Sequence, residues 1–285
     1  MVADRFLVIG ADGLVGRHLA AALVDANVVR TYRRDAAGGL KLEITDSGAV
    51  TRVIRESRPD VIFLAAADAY VERCEREPVQ TRRVNVDAAR VVASSAQACG
   101  AYLVVFSSEY VFDGVAGPYL EEDERRPINE YGRQKVFLED IALETGRGLV
   151  CRTSAVFGDD PRRKNFVCQL VDRLRKHESF EVPSDQVVTP TYAPSLARAV
   201  VRLAEQAETG IYHVAGPDIM GRVEFARLVV DAFRLDASLL RPRPTKELGL
   251  SATRPERAGL RTEKVRRYLG ASLTGPADAL RELAT

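Results

Sequence analysis

The run Phe6-Leu-Val-Ile9 ends in Gly10-Ala-Asp-Gly13-Leu-Val-Gly16, and an Ala- and Leu-rich stretch from Arg17 to Asp25 follows at once. Few short patterns constrain a fold as strongly. A short apolar run bounded by glycine reads as a buried strand, and the longer stretch beyond it reads as a helix. Between them, Gly10 permits a tight turn, Gly13 lets backbone N–H groups approach a pyrophosphate, and Gly16 lets the helix pack close to the sheet. The helix N-terminus favours the negative charge held there. A glycine triplet can also be a merely structural turn. This one follows a strand, opens a helix and lies ten residues from the N-terminus, which is the context that dinucleotide binding requires. Gly10, Asp12, Gly13, Leu14, Val15 and Gly16 are therefore the first candidate cofactor contacts.

Strands and helices go on alternating. Val28 to Tyr32 reads as the second strand, ending in Thr31-Tyr32-Arg33-Arg34. Folds that prefer NAD usually carry Asp or Glu here for the ribose 2′-hydroxyl. An Arg instead pairs with a 2′-phosphate in fork geometry, so Tyr32, Arg33 and Arg34 point to NADP(H), with NAD(H) as the second choice and a solvated Arg-rich loop as the bland alternative. Leu42 to Asp46 followed by a helix from Ala49 to Glu56 gives another unit, with Glu43 and Ile44 where an adenine edge would lie. Pro59 to Leu64 is a buried-type strand ending in Ala65-Ala-Ala67, small residues that leave room for a ribose and pyrophosphate or simply allow tight packing. Val79 to Gly100 reads as one long helix with Asn85 inside it. Asn is a poor helix former, so it needs a reason: an exposed position, or a backbone bridge beneath the site. This alternation specifies an α/β fold with a parallel, doubly wound sheet.

The apolar run Tyr102-Leu-Val-Val-Phe106 closes on Ser107-Ser108, at the strand end where such sheets place their ligands. The segment from Arg133 to Thr145 has Val136, Phe137, Ile141 and Leu143 at helical spacing. Tyr131 and Lys135 lie four residues apart and share a face near the start of that helix. A phenol, an ammonium and a hydroxyl brought together there can form a proton-transfer site.

Composition excludes more than it proposes. Net charge is +1, so the overall balance points to neither nucleic acid nor an anionic membrane. The basic residues are skewed, six Lys against thirty-five Arg, so each Arg cluster has to be judged by its setting. The four cysteines, Cys74, Cys99, Cys151 and Cys168, are far apart and there are three His. They read as reduced, mostly buried thiols, and no ligand cluster suggests a metal site. No apolar run approaches membrane-spanning length and no signal peptide precedes the first strand, so a soluble cytoplasmic protein is expected.

Further motifs carry a resemblance. Beyond the glycine loop they are Ala65-Ala-Ala67 with Val71-Glu-x-Cys-Glu75, Val84-Asn-Val86, Ser107-Ser-Glu-Tyr-Val-Phe-Asp-Gly114, Pro118-Tyr-x-Glu-x-Asp123 and Pro127-x-Asn-x-Tyr-Gly-x-x-Lys135. Arg152-Thr-Ser154, Phe157-Gly158, Asn165-Phe-Val167, Asp185-Gln186, Pro190-Thr191 and Arg254-Pro255 complete them. With these the chain resembles the extended short-chain dehydrogenases/reductases, most closely the dTDP-4-dehydrorhamnose reductase group. The resemblance implies an NAD(P)-binding Rossmann fold with a smaller, interleaved C-terminal substrate domain: residues 1–157, with 187–210 packing back, against 158–186 and 211–285. It implies that Ser108 holds the substrate carbonyl, Tyr131 donates the proton, and Lys135 binds the nicotinamide ribose and lowers the Tyr131 pKa, with Asn85 beneath the cofactor. It places Glu109, Tyr110, Ala155, Asn165 and Arg254 beside a nucleotide-sugar substrate, and it suggests a homodimer.

Three departures stand out. Glu109 replaces the usual Asp and puts a longer carboxylate beside the substrate. Ala155 replaces a Trp that would pack on the sugar ring, and the whole chain lacks Trp. Gln134 replaces a Ser and reads as a surface change. In the second half, Arg162-Arg163-Lys164 forms a polar loop over the cofactor that either meets a substrate diphosphate or is solvated, and His213 reads as a packed strand residue. The leading expectation is an NADPH-dependent reductase of a nucleotide-linked 4-keto-6-deoxy sugar. A nucleotide-sugar epimerase or dehydratase competes with it. So does a regulatory subunit resembling the β-subunit of methionine adenosyltransferase, which shares this fold and binds NADP.

Overall fold

The structure, a computed structural model, describes residues 4–23, 26–34 and 38–285. In chain order the first elements are β1 (Arg5–Ile9), α1 (Leu14–Ala22), β2 (Asn27–Tyr32), β3 (Leu40–Lys41), α2 (Ser47–Ser57), β4 (Val61–Leu64), α3 (Val71–Arg76), α4 (Pro78–Arg82) and α5 (Ala88–Cys99). Then come β5 (Tyr102–Ser108), α6 (Glu130–Glu144), β6 (Gly148–Thr153), β7 (Val156–Phe157), α7 (Phe166–Arg175), β8 (Phe180–Pro183), β9 (Val187–Val188) and β10 (Thr191–Tyr192). The last are α8 (Ala193–Glu205), β11 (Gly210–His213), β12 (Met220–Gly221), α9 (Arg222–Phe233), β13 (Leu240–Arg243), α10 (Glu263–Leu269) and α11 (Pro276–Ala284).

Seven parallel strands form the central sheet in the order β11-β6-β5-β4-β1-β2-β3. The chain winds outward from β1 in one direction and from β4 in the other, so the two strands meet at a topological switch point with a crevice at their C-terminal ends. One face of the sheet packs Phe6, Val8, Phe63 and Val104 against α1 and α8. The other packs Leu7, Ile62, Leu103 and Val150 against α2, α5 and α6. Burial on both faces is why these strands read as continuous apolar runs rather than alternating ones. A second core, built on Phe157, Leu170, Val171, Phe225, Val229 and Leu280, joins α7, α9 and α11.

Several boundaries differ from the sequence reading. The third strand is Leu40–Lys41 rather than Leu42 to Asp46; Leu42 and Ile44 are buried from an irregular segment whose Glu43 side chain accepts from Thr45. Helix α1 ends at Ala22, and residues 24 and 25 of the expected helix lie outside the described residues. Strands β6 and β7 are separated by a break at Ser154-Ala155, where Ala155 turns to φ +42. The long helix from Val79 is continuous but opens into a π-turn over Arg83–Asp87, between α4 and α5. Such bulges mark functional positions, and Asn85 sits inside this one. Residues from 211 onward do not all belong to a separate unit. Gly210–His213 is the edge strand of the main sheet against β6, and Val265 and Leu273 enter the same core as Phe6. That strand and α10 cover an edge of β6 that would otherwise be open.

Helix α6 corrects the apolar pattern. Phe137 and Leu143 are exposed, while Tyr131, Gln134, Lys135, Leu138, Glu139, Ile141 and Ala142 are buried. Its inner face is largely polar, so apolar spacing alone misplaced it.

His213 is fully buried, as expected for a packed strand residue. Its Nδ1 lies 3.0 Å from the Arg261 carbonyl and its Nε2 3.4 Å from Arg152 Nη1, so the neutral tautomer donates to the first and accepts from the second. Burial, with the nearby Arg152 charge, pulls its pKa down to about 3. The unfolded chain takes up this proton near pH 6.5 and the folded chain does not. Stability therefore falls as pH drops from 6.5 towards 3, by at most about 1.4 kcal/mol per unit. His213→Gln should lose less stability than the wild type over that window in urea titrations at stepped pH; equal losses would remove His213 from the acid response.

Candidate active site

Strand β5 is buried along all seven residues and delivers Ser107 and Ser108 to the C-terminal edge of the sheet. Ser107 turns down into the protein, where its hydroxyl donates to Glu139 Oε1 at 2.5 Å. Glu139 also receives Arg152 Nε at 2.8 Å and Nη2 at 2.9 Å, a bidentate pair with both side chains out of solvent, and Arg125 Nη1 at 3.3 Å. Ser108 turns the other way, into the crevice.

Asn129 caps α6: its Oδ1 accepts from Gly132 N at 2.8 Å while its Nδ2 donates to the Thr253 carbonyl at 2.8 Å. The residue that starts α6 thus also fixes the segment carrying Arg254. Tyr131 is buried in the first turn. Burial pushes the Tyr131 pKa up, and the Glu109 charge adds to this. Lys135 is buried one turn later, with Nζ donating to the Phe106 carbonyl at 2.7 Å and standing 5.5 Å from the Tyr131 ring centre. Burial pulls Lys135 down to about 8. Desolvation is the largest influence on Tyr131, and the phenol keeps its proton. That is the form a proton donor needs.

Glu109 does not project freely towards a ligand. It is buried, and its Oε2 lies 2.6 Å from Ser108 Oγ. Tyr110 packs edge-on against Tyr131 with ring centres 5.5 Å apart. The Arg254 guanidinium stands 5.7 Å from the Tyr110 ring and pairs with Glu72 at 2.7 Å through Nη2. Its buried Nη1 has no hydrogen-bond partner, a costly state for a cationic donor. Arg222 faces the same pocket from the start of α9, stacked 4.9 Å over Phe166 and close enough to Glu109 and Tyr110 to feel their charge. Sequence reasoning missed Arg222, because an Arg at the head of a helix in an Arg-rich chain carries no signal. Ala155 lies at the break between β6 and β7. Asn165 is committed to its own turn, capping α7 through Cys168 N and donating to the Gly158 carbonyl.

The cofactor side is built from the glycine loop. A Cβ on Gly10, at φ +91, would fall 2.7 Å from Ala66 Cα, and one on Gly16 would fall 2.1 Å from the Gly10 carbonyl oxygen. Both contacts are with backbone, so the turn, the Ala65–Ala67 segment and α1 close together only with glycine there. Asn85 pins that segment: its Oδ1 accepts from Asp68 N at 2.8 Å, and its Nδ2 donates to Asp68 O at 3.0 Å and to Gln134 Oε1 at 2.7 Å. Of the two reasons its place allowed, bridging is the one the structure takes. Gln134, read from sequence as a surface change, is fully buried and continues the bridge to Thr81 and Glu130. Arg162 leans on the glycine loop, 3.8 Å from Asp12 and with Nη2 3.5 Å from where a Gly13 Cβ would lie. The loop that sequence offered to a substrate diphosphate thus puts its first Arg beside the glycine loop. Beyond β2, Arg33 pairs with Glu43 at 3.1 Å, while exposed Arg34 has no ion pair among the described residues.

The model of the RmlD substrate binding domain matches residues 4–285. The dTDP-4-dehydrorhamnose reductase of Burkholderia thailandensis is 30% identical over 94% of this chain and 94% of its own. The methionine adenosyltransferase 2 subunit beta of Pongo abelii is 34% identical over 92% of this chain and 81% of its own. Among solved structures, the Bacillus anthracis dTDP-4-dehydrorhamnose reductase in complex with NADP has a TM-score of 0.90 at 28% identity, covering 99% of this chain and 98% of its own.

Arg34→Ala should weaken NADPH binding by roughly 5- to 30-fold, the loss of one exposed Arg–phosphate contact of about 1–2 kcal/mol. NADH binding should change much less, as read by fluorescence titration. Equal weakening of both cofactors would refute the 2′-phosphate assignment.

Proposed function

This chain belongs to the RmlD substrate binding domain family, and we propose that it reduces a nucleotide-linked 4-keto-6-deoxy sugar with NADPH, Tyr131 donating the proton. It is an NAD(P)-dependent oxidoreductase of the short-chain dehydrogenase/reductase type. The observation that carries the finer reading is convergence: Ser108 from β5, with Tyr131 and Lys135 from α6, meet at the switch-point crevice beside the glycine loop.

The residues present fit a dinucleotide. The glycine loop leaves no room for side chains where a pyrophosphate approaches, Arg162 adds a cation there, and Arg34 is available for a 2′-phosphate. NADPH supplies the hydride when bound. The protein's own work is then limited. Ser108 donates to the substrate carbonyl oxygen and fixes its direction. Tyr131, protonated because it is desolvated, gives its proton to that oxygen as negative charge develops. Lys135, anchored on Phe106 O, keeps positive charge beneath the phenol at pH values below about 8, so the phenolate left behind is opposed by a nearby charge. Arg254 has one guanidinium nitrogen without a partner beside Tyr110. A substrate diphosphate supplies what that nitrogen lacks.

The 34% identity to a methionine adenosyltransferase subunit supports a second reading, an NADP-binding regulatory subunit. One assay separates the two: NADPH absorbance loss with dTDP-4-keto-6-deoxy sugars. The reductase reading expects turnover by wild type and a loss of about 10²–10⁴-fold in Tyr131→Phe, the usual contribution of a general acid. Tight NADP binding with no turnover across a panel of keto sugars would sink it and favour the regulatory reading. Arg254→Gln should raise KM for the nucleotide sugar by roughly 10- to 100-fold while kcat changes far less, because a charge-assisted contact of about 1.5–3 kcal/mol is lost. An unchanged KM would place the diphosphate elsewhere.

A further inference from the structure

Glu109 is a buried carboxyl group that the proton transfer above does not use. It opens the short turn that closes β5 and is 5% exposed. One oxygen, Oε2, lies 2.6 Å from Ser108 Oγ. The charged and titratable groups that face it are Tyr110 from its own turn, Tyr131 from α6 and Arg222 from α9. None of them forms an ion pair with it among the described residues.

A serine hydroxyl has one proton to give. In the proposed reaction the Ser108 proton goes to the substrate oxygen. An ionised carboxylate at 2.6 Å claims that same proton, since it can only accept. A protonated carboxyl reverses the bond: its O–H donates to Ser108 Oγ and the serine proton is released towards the crevice. An ionised Glu109 would also set a second negative charge beside the oxygen on which charge develops during reduction.

Resting on the reductase reading, we propose that Glu109 is a positioning residue that works in its protonated form. Its carboxyl O–H donates to Ser108 Oγ and so turns the Ser108 proton towards the substrate oxygen. Its ionisation draws that proton back and leaves the carbonyl without its donor. Burial raises the Glu109 pKa, although the Ser108 bond and Arg222 work against it. Gln is the conservative mimic of this state, since its amide N–H donates to Ser108 at every pH.

The test is the pH profile of kcat for wild type, Glu109→Gln and Ser108→Ala, together with infrared spectra of the NADP-bound proteins. Wild type should lose kcat on the alkaline side, about tenfold per pH unit once the carboxyl ionises. Glu109→Gln should stay within about tenfold of wild type at its best pH and lack that limb, leaving the separate fall above about pH 8, where Lys135 loses its charge. Ser108→Ala should fall much further, by about 10²–10³-fold, as for loss of an oxyanion donor. A Glu109→Gln profile with the wild-type limb, or activity as low as Ser108→Ala, would overturn the proposal. The infrared readout is independent of turnover. Wild type at neutral pH should show a protonated-carboxyl stretch that is absent in Glu109→Gln and shifted in Ser108→Ala. Absence of that band in wild type would overturn the proposal. If wild type reduces no keto sugar, the reductase reading has failed by itself, and the band still decides whether Glu109 holds its proton against Ser108.

Discussion

The buried pair between Glu139 and Arg152 is the contact on which the site's geometry depends. Both side chains lie out of solvent, and the carboxylate accepts two bonds from Arg152, one from Ser107 and one from Arg125. Taking such charges out of water is costly, and only full hydrogen bonding offsets it; removing one partner typically costs about 3–5 kcal/mol. Here the satisfied pair ties α6 to the ends of β5 and β6 at once. Tyr131, Lys135 and Glu139 lie at successive i, i+4 positions, so one helix face carries the phenol, the ammonium and the anchor. Fixing Glu139 against Ser107 and Arg152 therefore sets the height and rotation at which Tyr131 meets Ser108.

The same polarity explains where sequence reading succeeded and failed. Strands buried on both faces declared themselves as apolar runs, and the glycine loop fixed the first turn because only glycine tolerates the approach of Ala66 and of its own loop carbonyl. Ser108, Tyr131 and Lys135 were legible because four-residue spacing on a helix and a strand end are local facts. The inner face of α6 was not. It is lined with Tyr131, Gln134, Lys135 and Glu139, so a search for apolar periodicity selected Phe137 and Leu143, which face outward. Gln134 was misread for the same reason. Its partners Asn85 and Thr81 lie about fifty residues earlier, and no local pattern announces a bridge across that distance. Asn85 signalled itself only as a poor helix former in a helix, and a π-turn is the local structure that accommodates it.

Arginines divide by what neutralises them. Many in this chain are spent on surface pairs such as Arg163 with Asp172 or Arg243 with Glu181, which contribute little to stability. Arg152 is consumed inside the protein. Arg34 lacks an ion pair among the described residues, Arg162 holds a long contact at 3.8 Å, Arg254 has an unpartnered Nη1, and Arg222 is stacked on Phe166 without an ion pair. These four fall into two groups: Arg34 and Arg162 beside the glycine-loop side, Arg222 and Arg254 beside Tyr110. Charge left unneutralised at both ends of a crevice, with a protonated phenol between, suits two anionic molecules meeting at one uncharged carbonyl.

The pocket around that carbonyl is made by elements from two parts of the chain. Chemistry comes from β5 and α6, which the sheet and the Glu139 pair hold rigidly. Recognition comes from the end of β6, the head of α9 and the Arg254 segment, and Asn129 joins the second group to the first through the Thr253 carbonyl. Without an indole at Ala155, the apolar wall there is small, whereas Arg222 brings a guanidinium laid flat on an aromatic ring. A flat, cationic surface selects a ligand by charge and hydrogen bonding more than by stacking on a sugar face. Glu109 stands where the two groups touch, bonded to the Ser108 hydroxyl on one side and within the field of Arg222 on the other. A change in the recognition half that moves Arg222 therefore alters the protonation of Glu109 and, through it, the direction of the Ser108 hydroxyl. On the role proposed for Glu109, substrate choice and carbonyl polarisation would be coupled through a single carboxyl group.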